Sequence, residues 1–522
     1  MALIMDNVWR FIDVNLAAMQ FKPQVAKKSS STLQTSCNEF FFLTNPYHFI
    51  YTHFPKSSYD WQFLARPVTF SEFKDMVYIK PVFVQVGLEV RSHGKGIIEC
   101  PDGRVDLELG CPADHSLLFY HKLTVLDTEG QSEGEDRKEY NDQVFIEQVE
   151  KTLSCSFYLP LAGKWKFELF VRDTDSNSKV KESKHLKYYL ACVYVINNEK
   201  ACDYAAPMPK NSRQEWGPGY DLTVAGLVPL THNNGMIDTH DGMVQLWFQI
   251  TKKIDFLAKI SAKNEAIEDT GNLCLHWLTK NHVIVQCRLP KAGDYSLELY
   301  AKDRNASGNL PHVCSYLINS HKDTVDPSTF PAPRGGRLGG TSANKIAAIS
   351  PKSHKCPYIE LESTGSLEMT FNAPQLLVIM AELWLHNSTT SQPKQIEDHV
   401  LPFQKDQEIK LTINFPDSGY YRLALYAKPH GTEGEVRNIY NYVIKVTSPA
   451  VDCVPFPKSY AEWAQGCRLI EPTSGLLTQG QNVAFKVDIP IADTVAVKAP
   501  GKWTMLEKVS ITLPLLMHEA GR

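Results

Sequence analysis

A short pattern that occurs three times constrains this chain more than any other feature. It spans Leu159 to Phe170, Leu289 to Tyr300 and Phe415 to Tyr426. Each copy reads apolar, Pro, any residue, small, Gly, any residue, aromatic, and then alternates strictly. The fixed positions are Pro160, Ala162, Gly163 and Trp165, then Pro290, Ala292, Gly293 and Tyr295, then Pro416, Ser418, Gly419 and Tyr421. The glycines stand 130 and 126 residues apart. Proline ends one strand, glycine supplies a turn conformation that other residues resist, and the aromatic opens a half-buried strand. A second strand follows each copy, at Tyr194-Val195-Ile196, Tyr316-Leu317-Ile318 and Tyr442-Val443-Ile444. This is the chemistry of a β-sandwich corner, and it resembles the tyrosine corner of immunoglobulin-like domains.

Alternation elsewhere agrees. Val244 to Ile250, Phe256 to Ile260 and Leu367 to Phe371 read as strands, and helical periodicity is almost absent after residue 75. Two linkers repeat as well: Pro207-Met208-Pro209-Lys210 with Glu215-Trp216, and Pro455-Phe456-Pro457-Lys458 with Glu462-Trp463. Each introduces a new unit. After the second, Val483 to Pro490 and Val495 to Val497 read as the opening strands of a fourth unit that stops before its corner. The reading is mainly β: a remnant at 1–75, β-sandwich repeats at 76–202, 203–322 and 354–448, a flexible linker at 323–353, and a linker with an incomplete fourth repeat at 449–522.

The remnant is read from Trp9-Arg10-Phe11-Ile12-Asp13-Val14-Asn15, Asn38-Glu39-Phe40-Phe41-Phe42-Leu43-Thr44-Asn45-Pro46, Tyr51-Thr52-His53-Phe54-Pro55 and Trp61-Gln62-Phe63-Leu64. These segments resemble the end of a transglutaminase-like cysteine-hydrolase core, and the family they are most similar to is the kyphoscoliosis peptidase and hillarin group. The resemblance implies an N-terminal α+β domain, a Cys-His-Asp triad whose aspartate is Asp13, and C-terminal immunoglobulin-like repeats. It also implies a muscle or actin-cytoskeleton setting with filamin-type or actin-associated partners. Where that family continues Trp-Gly-Ala-Gly, this chain has Asn15-Leu16-Ala17-Ala18-Met19.

A thiol attacks as its thiolate, which a neighbouring imidazole generates, and the aspartate only orients that imidazole. Met1 to Ile12 contain neither Cys nor His. Asp13 is therefore expected to have nothing to orient, and the chain is expected to be a non-catalytic form, shortened at both ends relative to a longer protein. Cys37, His48 and His53 are the residues that would rebuild a triad. The plainer reading places Cys37 before a half-buried strand, Phe40 to Leu43, with His48 and His53 flanking the Phe49-Ile50-Tyr51 run. The aromatics of this segment are expected to pack on the first sandwich.

With 54 basic and 58 acidic side chains the net charge is -4, which gives no global attraction to nucleic acid or anionic lipid. No apolar run is long enough to span a membrane, and Met1 to Asp6 do not read as a secretory signal. The 12 cysteines show no Cys-x-x-Cys or zinc-type spacing, so neither a metal, a cofactor nor a disulfide framework is expected. The expected setting is cytoplasmic and cytoskeleton-associated. Gly335 to Ser342 reads as linker rather than as a phosphate loop, and the acidic run Glu129 to Asp136 as a solvated loop. Glu215-Trp216 and Glu462-Trp463 read as wedges between sandwiches, with partner anchoring as the alternative. Two functions follow: a cytoskeletal scaffold or interaction protein, and a cysteine peptidase or protein acyl-transferase.

Overall fold

The computed structural model describes residues 2–5, 8–18, 38–113, 116–126, 138–174, 187–204, 206–263, 271–324, 330–332, 338–343, 347–362, 364–386, 393–450, 453–458, 467–480, 483–489, 494–499 and 502–507. Its contacts divide the chain into two units. One holds 1–238, 251–266 and 293–319, the other 239–250, 267–292 and 320–522. The chain folds as tandem immunoglobulin-like β-sandwich repeats behind a short N-terminal segment. The unit boundary passes through the second repeat, so each of that repeat's sheets belongs mainly to one unit.

The first repeat is built of two sheets. In one, the strands run in the order Glu89–Val90, Arg104–Gly110, Thr152–Tyr158, Val144–Val149. In the other the order is Tyr78–Ile79, Tyr189–Asn198, Gly163–Asp173, Leu117–Val125, and Ile97–Cys100 lies parallel to the end of Tyr189–Asn198. The third repeat repeats the plan. Tyr358–Leu361 runs parallel to Arg437–Val446, which pairs with the corner strand Gly419–Pro429 and through it with Leu377–His386. The facing sheet is Ser350–Pro351, Ser366–Asn372, Glu408–Asn414, Val400–Lys405. In the second repeat, Met236–Thr239, His312–Ser320, Gly293–Asp303 and Ile254–Ala262 form one sheet, and Met243–Ile250, His282–Arg288 and Cys274–Leu278 lie side by side in the other.

The three corners share one backbone geometry. Gly163, Gly293 and Gly419 have φ of 131°, 137° and 143°, where a side chain would be strained. The aromatics two residues on, Trp165, Tyr295 and Tyr421, are at most 1% exposed. In two copies the aromatic's polar atom reaches back four residues. Trp165 Nε1 donates to the Leu161 carbonyl at 3.1 Å. Tyr421 Oη donates to the Asp417 carbonyl at 2.7 Å and accepts from the Asp417 N–H at 3.1 Å. The register of the corner strand shifts at the same point in the first and third repeats, after Leu169 and after Leu425, six residues beyond each glycine.

Two local readings are corrected. Phe40 to Leu43 are not a strand: Glu39–Phe41 form a 3-10 turn, because Asn38 Oδ1 accepts the Phe40 N–H at 3.2 Å and Leu43 takes a positive φ of 59°. Pro46–Phe49 form a helical turn opened by the Asn45 side chain. The stretch 323–353, read as a flexible linker, supplies structure to its neighbours where it is described. Gly339–Gly340 pair with Asn441 and Tyr440, Ser350–Pro351 pair with Asn372 and Phe371, and Phe330 is fully buried. Phe330 and Leu338 join Leu275, Trp277, Tyr420 and Val443 in one apolar cluster, which outweighs the glycine content that suggested flexibility. Gly335 to Arg337 and the run Glu129 to Asp136 lie outside the described residues. Near the C-terminus, Arg468–Glu471 pairs with Lys486–Asp488 and Thr494–Ala499 with Lys502–Glu507.

If the corner hydrogen bonds hold the loop, Tyr421→Phe keeps the ring and loses both bonds. Urea unfolding should then show the third repeat destabilised by roughly 1–3 kcal/mol, and an unchanged midpoint would assign the corner to packing alone.

Candidate functional site

The N-terminal segment converges on Asp13. The strands Ala2–Met5 and Val8–Phe11 form a hairpin. Phe11 exchanges both backbone hydrogen bonds with Thr44, at 2.9 and 2.8 Å, and the Asp13 N–H donates to the Phe41 carbonyl at 2.9 Å. Asp13 then precedes the short helix Val14–Ala18, and its Oδ1 accepts the Leu16 N–H at 2.9 Å. That leaves Oδ2 for another donor.

The donor is His53, whose Nε2 lies 2.9 Å from Asp13 Oδ2. Contrary to the expectation from sequence, Asp13 does orient an imidazole. The ring is held on its face by Phe49, with centroids 3.9 Å apart and planes within 8°, and on its edge by Phe41. The His53 N–H donates to the Phe49 carbonyl at 3.0 Å, so the helical turn that carries Phe49 also aims the histidine. On the other side of the ring, Nδ1 lies 2.8 Å from Thr52 Oγ1, and that hydroxyl is 3.1 Å from the Phe49 carbonyl. A carboxylate at Nε2 fixes the Nε2–H tautomer, which makes Nδ1 the nitrogen able to take up a proton.

The pair lies at the wall of a cavity of about 580 Å³, lined also by Phe11, Phe49, Phe54, Trp61 and Gln62. Gln62 is fixed by two hydrogen bonds of 2.7 Å to the backbone of Val68. Hydrogen bonds from Leu16 and from His53 hold the Asp13 carboxyl below its ordinary pKa, against a smaller opposing effect of burial. His48 is absent from the cavity lining, and partial burial lowers its pKa. Cys37 lies outside the described residues. No sequence spacing connects Asp13 with His53, 40 residues later, and of the two histidines put forward to rebuild a triad it is His53 that reaches Asp13.

The segment also packs on the first sandwich, as expected. Tyr51 lies against the core of that repeat, and Val84, from its helical turn Pro81–Gln85, joins Phe40, Phe41 and Ala17.

The second candidate, Glu215-Trp216, is a wedge. Trp216 is 4% exposed, stacks on Phe145 of the first repeat at 6.1 Å and touches Leu317 of the second. Its strap is stitched on both sides: Trp216 N–H donates to Ile146 O at 2.8 Å and Gly217 N–H to Ser315 O at 2.7 Å. Glu215 Oε1 accepts the Phe119 N–H, and burial, partly offset by that bond and by Arg213, pushes its carboxyl up to about 8. Glu462-Trp463 lies outside the described residues. Among the described residues no three His, Cys, Asp or Glu side chains cluster as metal ligands, and no helix is long and apolar enough to cross a membrane.

A sequence model described as "KY-like, immunoglobulin-like domain" matches residues 70–209, 223–331 and 348–457. The chain is similar to hillarin of Drosophila melanogaster, with 24% identity over 351 residues covering 62% of this chain and 42% of hillarin. It is similar to the Lim and transglutaminase domain protein ltd-1 of Caenorhabditis elegans, 24% identical over 61% of this chain and 45% of that protein. It is also similar to the kyphoscoliosis peptidase of Mus musculus, 24% identical over 71% of this chain and 53% of the peptidase. The chain thus spans about half the length of the curated relatives it matches.

Two outcomes test the geometry. Asp13→Asn should release the Nε2–H tautomer of His53, read as a change in imidazole nitrogen-15 shifts, and cost roughly 1 kcal/mol in the N-terminal segment. The sign is that of a depressed acid: the stabilisation is present above the ordinary carboxyl pKa of 3.8 and lost as pH falls through the lower folded value, so the two proteins should converge in strong acid. Glu215 has the opposite sign. Its folded pKa of about 8 lies above the ordinary 4.5, so the strap is strongest below pH 4.5 and weakens as pH rises through about 8. Glu215→Gln should match the parent in mild acid and unfold at a higher temperature above pH 8; equal midpoints at both pH values would show that the carboxyl is solvated.

Proposed function

The chain belongs to the family of the KY-like, immunoglobulin-like domain, and from that premise we propose that it is a cytoskeleton-associated scaffold or interaction protein. Its partners on this reading are filamin-type or actin-associated proteins, bound by addition of a strand to a sandwich edge. The observation that supports it is the strand Ile254–Ala262, nine residues long and terminal in its sheet. It pairs along its whole length with Tyr295–Asp303, and among the described residues no strand covers its other side. The Lys263 N–H donates to Asp294 O and the Arg304 N–H to Lys253 O. Pairs of this kind alternate along an antiparallel ladder, so Ala258 and Ile260 turn their N–H groups to the open edge. A long open edge is what natural sheets otherwise shorten or cover.

The test is saturable co-sedimentation with filamentous actin and with purified filamin. Ala258→Pro removes an outward donor and no ladder bond, so it should weaken binding about tenfold, the equivalent of roughly 1.4 kcal/mol, with little change in thermal unfolding. Absence of saturable binding by the folded parent would overturn the reading.

A second reading rests on the Asp13–His53 pair: a cysteine peptidase or protein acyl-transferase, as the names of the relatives suggest. A cysteine-directed electrophile followed by peptide mass spectrometry separates the two. Preferential labelling of Cys37 at neutral pH supports the enzyme, and labelling no faster than that of other accessible thiols counts against it.

A further inference from the structure

Cys274 and Cys287 face each other directly across the antiparallel strands Cys274–Leu278 and His282–Arg288. The hydrogen bonds at the two ends of this ladder fix which kind of site they occupy. The Arg288 N–H donates to Leu273 O at 2.8 Å, and at the turn the Thr279 N–H donates to His282 O at 2.8 Å. Leu273 with Arg288 and Thr279 with His282 are therefore both hydrogen-bonded pairs, six residues apart, and the intervening pairs alternate. Cys274 with Cys287 falls on a non-hydrogen-bonded pair. There the Cα atoms approach to about 4.5 Å and the side chains stand closest, within the range of about 4.4–6.8 Å that a disulfide spans.

We propose that Cys274 and Cys287 form a reversible cross-strand disulfide, driven by exchange with a small-molecule disulfide of the glutathione type. Cys274 stands on the last strand of its sheet and is half-buried, so solvent reaches it, whereas Cys287 is fully buried between Cys274 and Val244 of the next strand. The sequence of steps follows from that asymmetry. The Cys274 thiolate attacks one sulfur of the small disulfide, forms a mixed disulfide and expels one thiolate. Cys287 then gives up its proton and attacks Cys274 Sγ, which expels the second. Two protein thiols lose two electrons and two protons, and the small disulfide becomes two thiols. In the reduced chain the Cys287 thiol donates toward the Cys274 sulfur and is desolvated, and both effects hold its pKa well above the ordinary value, so it is the resolving rather than the attacking partner.

The short Cα separation lies below the usual 5.5–6 Å or so of unstrained bridges, which makes the bond easier to reduce. The bridge closes the hairpin that carries Leu275, Trp277 and Ile284. These three residues pack with Phe330, Leu338, Tyr420 and Val443, and Trp277 stacks on Tyr358 at 5.3 Å. Oxidation would therefore stiffen the platform on which the third repeat's corner residue Tyr420 rests.

Trypsin separates the two cysteines by cutting after Lys280, into peptides 264–280 and 281–288. The experiment equilibrates the full chain in reduced and oxidised glutathione, quenches with acid, alkylates and maps it without reduction. The expected product in the oxidising buffer is 264–280 joined to 281–288, lighter than the two thiol peptides by two hydrogens. It should disappear in the reducing buffer and in Cys274→Ser. Oxidation should also raise the unfolding midpoint of the parent, but not that of the variant. Both cysteines remaining as thiols, Cys274 remaining capped by glutathione, or either residue joined to a different cysteine would overturn the proposal.

Discussion

Everything after the N-terminal segment depends on one backbone constraint, the glycine that opens each corner strand. A φ between 131° and 143° at Gly163, Gly293 and Gly419 lets the chain turn out of one strand and enter the next with its aromatic pointing inward. Because strand side chains alternate, that choice of direction sets the face of every later residue. In the first repeat it sends Trp165, Phe167, Leu169 and Val171 into the core, all fully buried. In the first and third repeats the aromatic's hydrogen bond to the backbone four residues upstream then fixes the loop against the strand. The register shift six residues on, after Leu169 and after Leu425, recurs with the same spacing, so the twist of the strand is inherited along with the corner.

The sandwich plan was therefore legible from three short motifs, and the alternation of Val244 to Ile250 and of Leu367 to Phe371 gave the strands around them. The parts that misled share a physical cause. At Phe40 to Leu43 three adjacent phenylalanines carry no period, and the side-chain cap of Asn38 decided for a turn. At 323–353 the glycines suggested a tether, yet Phe330 is fully buried in an apolar cluster whose other buried members come from four separate strands and Leu338. The sequence put forward His53 beside His48 and Cys37 as a residue to rebuild a triad, but could not choose between them. The His53–Asp13 contact depends on two turns, one ending at Phe49 and one starting at Val14, being brought together by the Phe11–Thr44 bridge, and no local pattern encodes that meeting.

The two junctions show different ways of joining sandwiches. Between the first and second repeats a strap makes single bridges to a strand of each, with Trp216 as its plug and hydrogen bonds to Ile146 and Ser315 on either side. Between the second and third the plug is assembled from the repeats themselves: Trp277 stacks on Tyr358, Phe330 meets Tyr420 edge-on, and the Arg288 guanidinium lies 5.0 Å from the Tyr420 ring. The first arrangement puts its specificity in the linker, where sequence comparison finds it as the repeated Pro-x-Pro-Lys and Glu-Trp. The second puts it on strand faces, where it looks like any other core residue.

This difference decides which chemistry can reach each joint. A strap that buries a carboxyl responds to protons, because the desolvated Glu215 is favoured as the neutral acid and its ionisation works against the contact that Trp216 makes. In the joint made of aromatic faces the carboxylate at hand, Glu360, is exposed and accepts the Tyr358 hydroxyl at 2.7 Å. The paired sulfurs of Cys274 and Cys287 lie at the far end of the same short hairpin that presents Trp277. The neighbours of one domain family are thus held by contacts of different sensitivity. A thiol stands at the first joint too, where the Cys314 S–H donates to the Gly217 carbonyl at 3.2 Å, but Cys314 is buried whereas Cys274 is half-buried. The sensitivity follows from which of these groups solvent reaches, and not from the sandwich fold that both joints share.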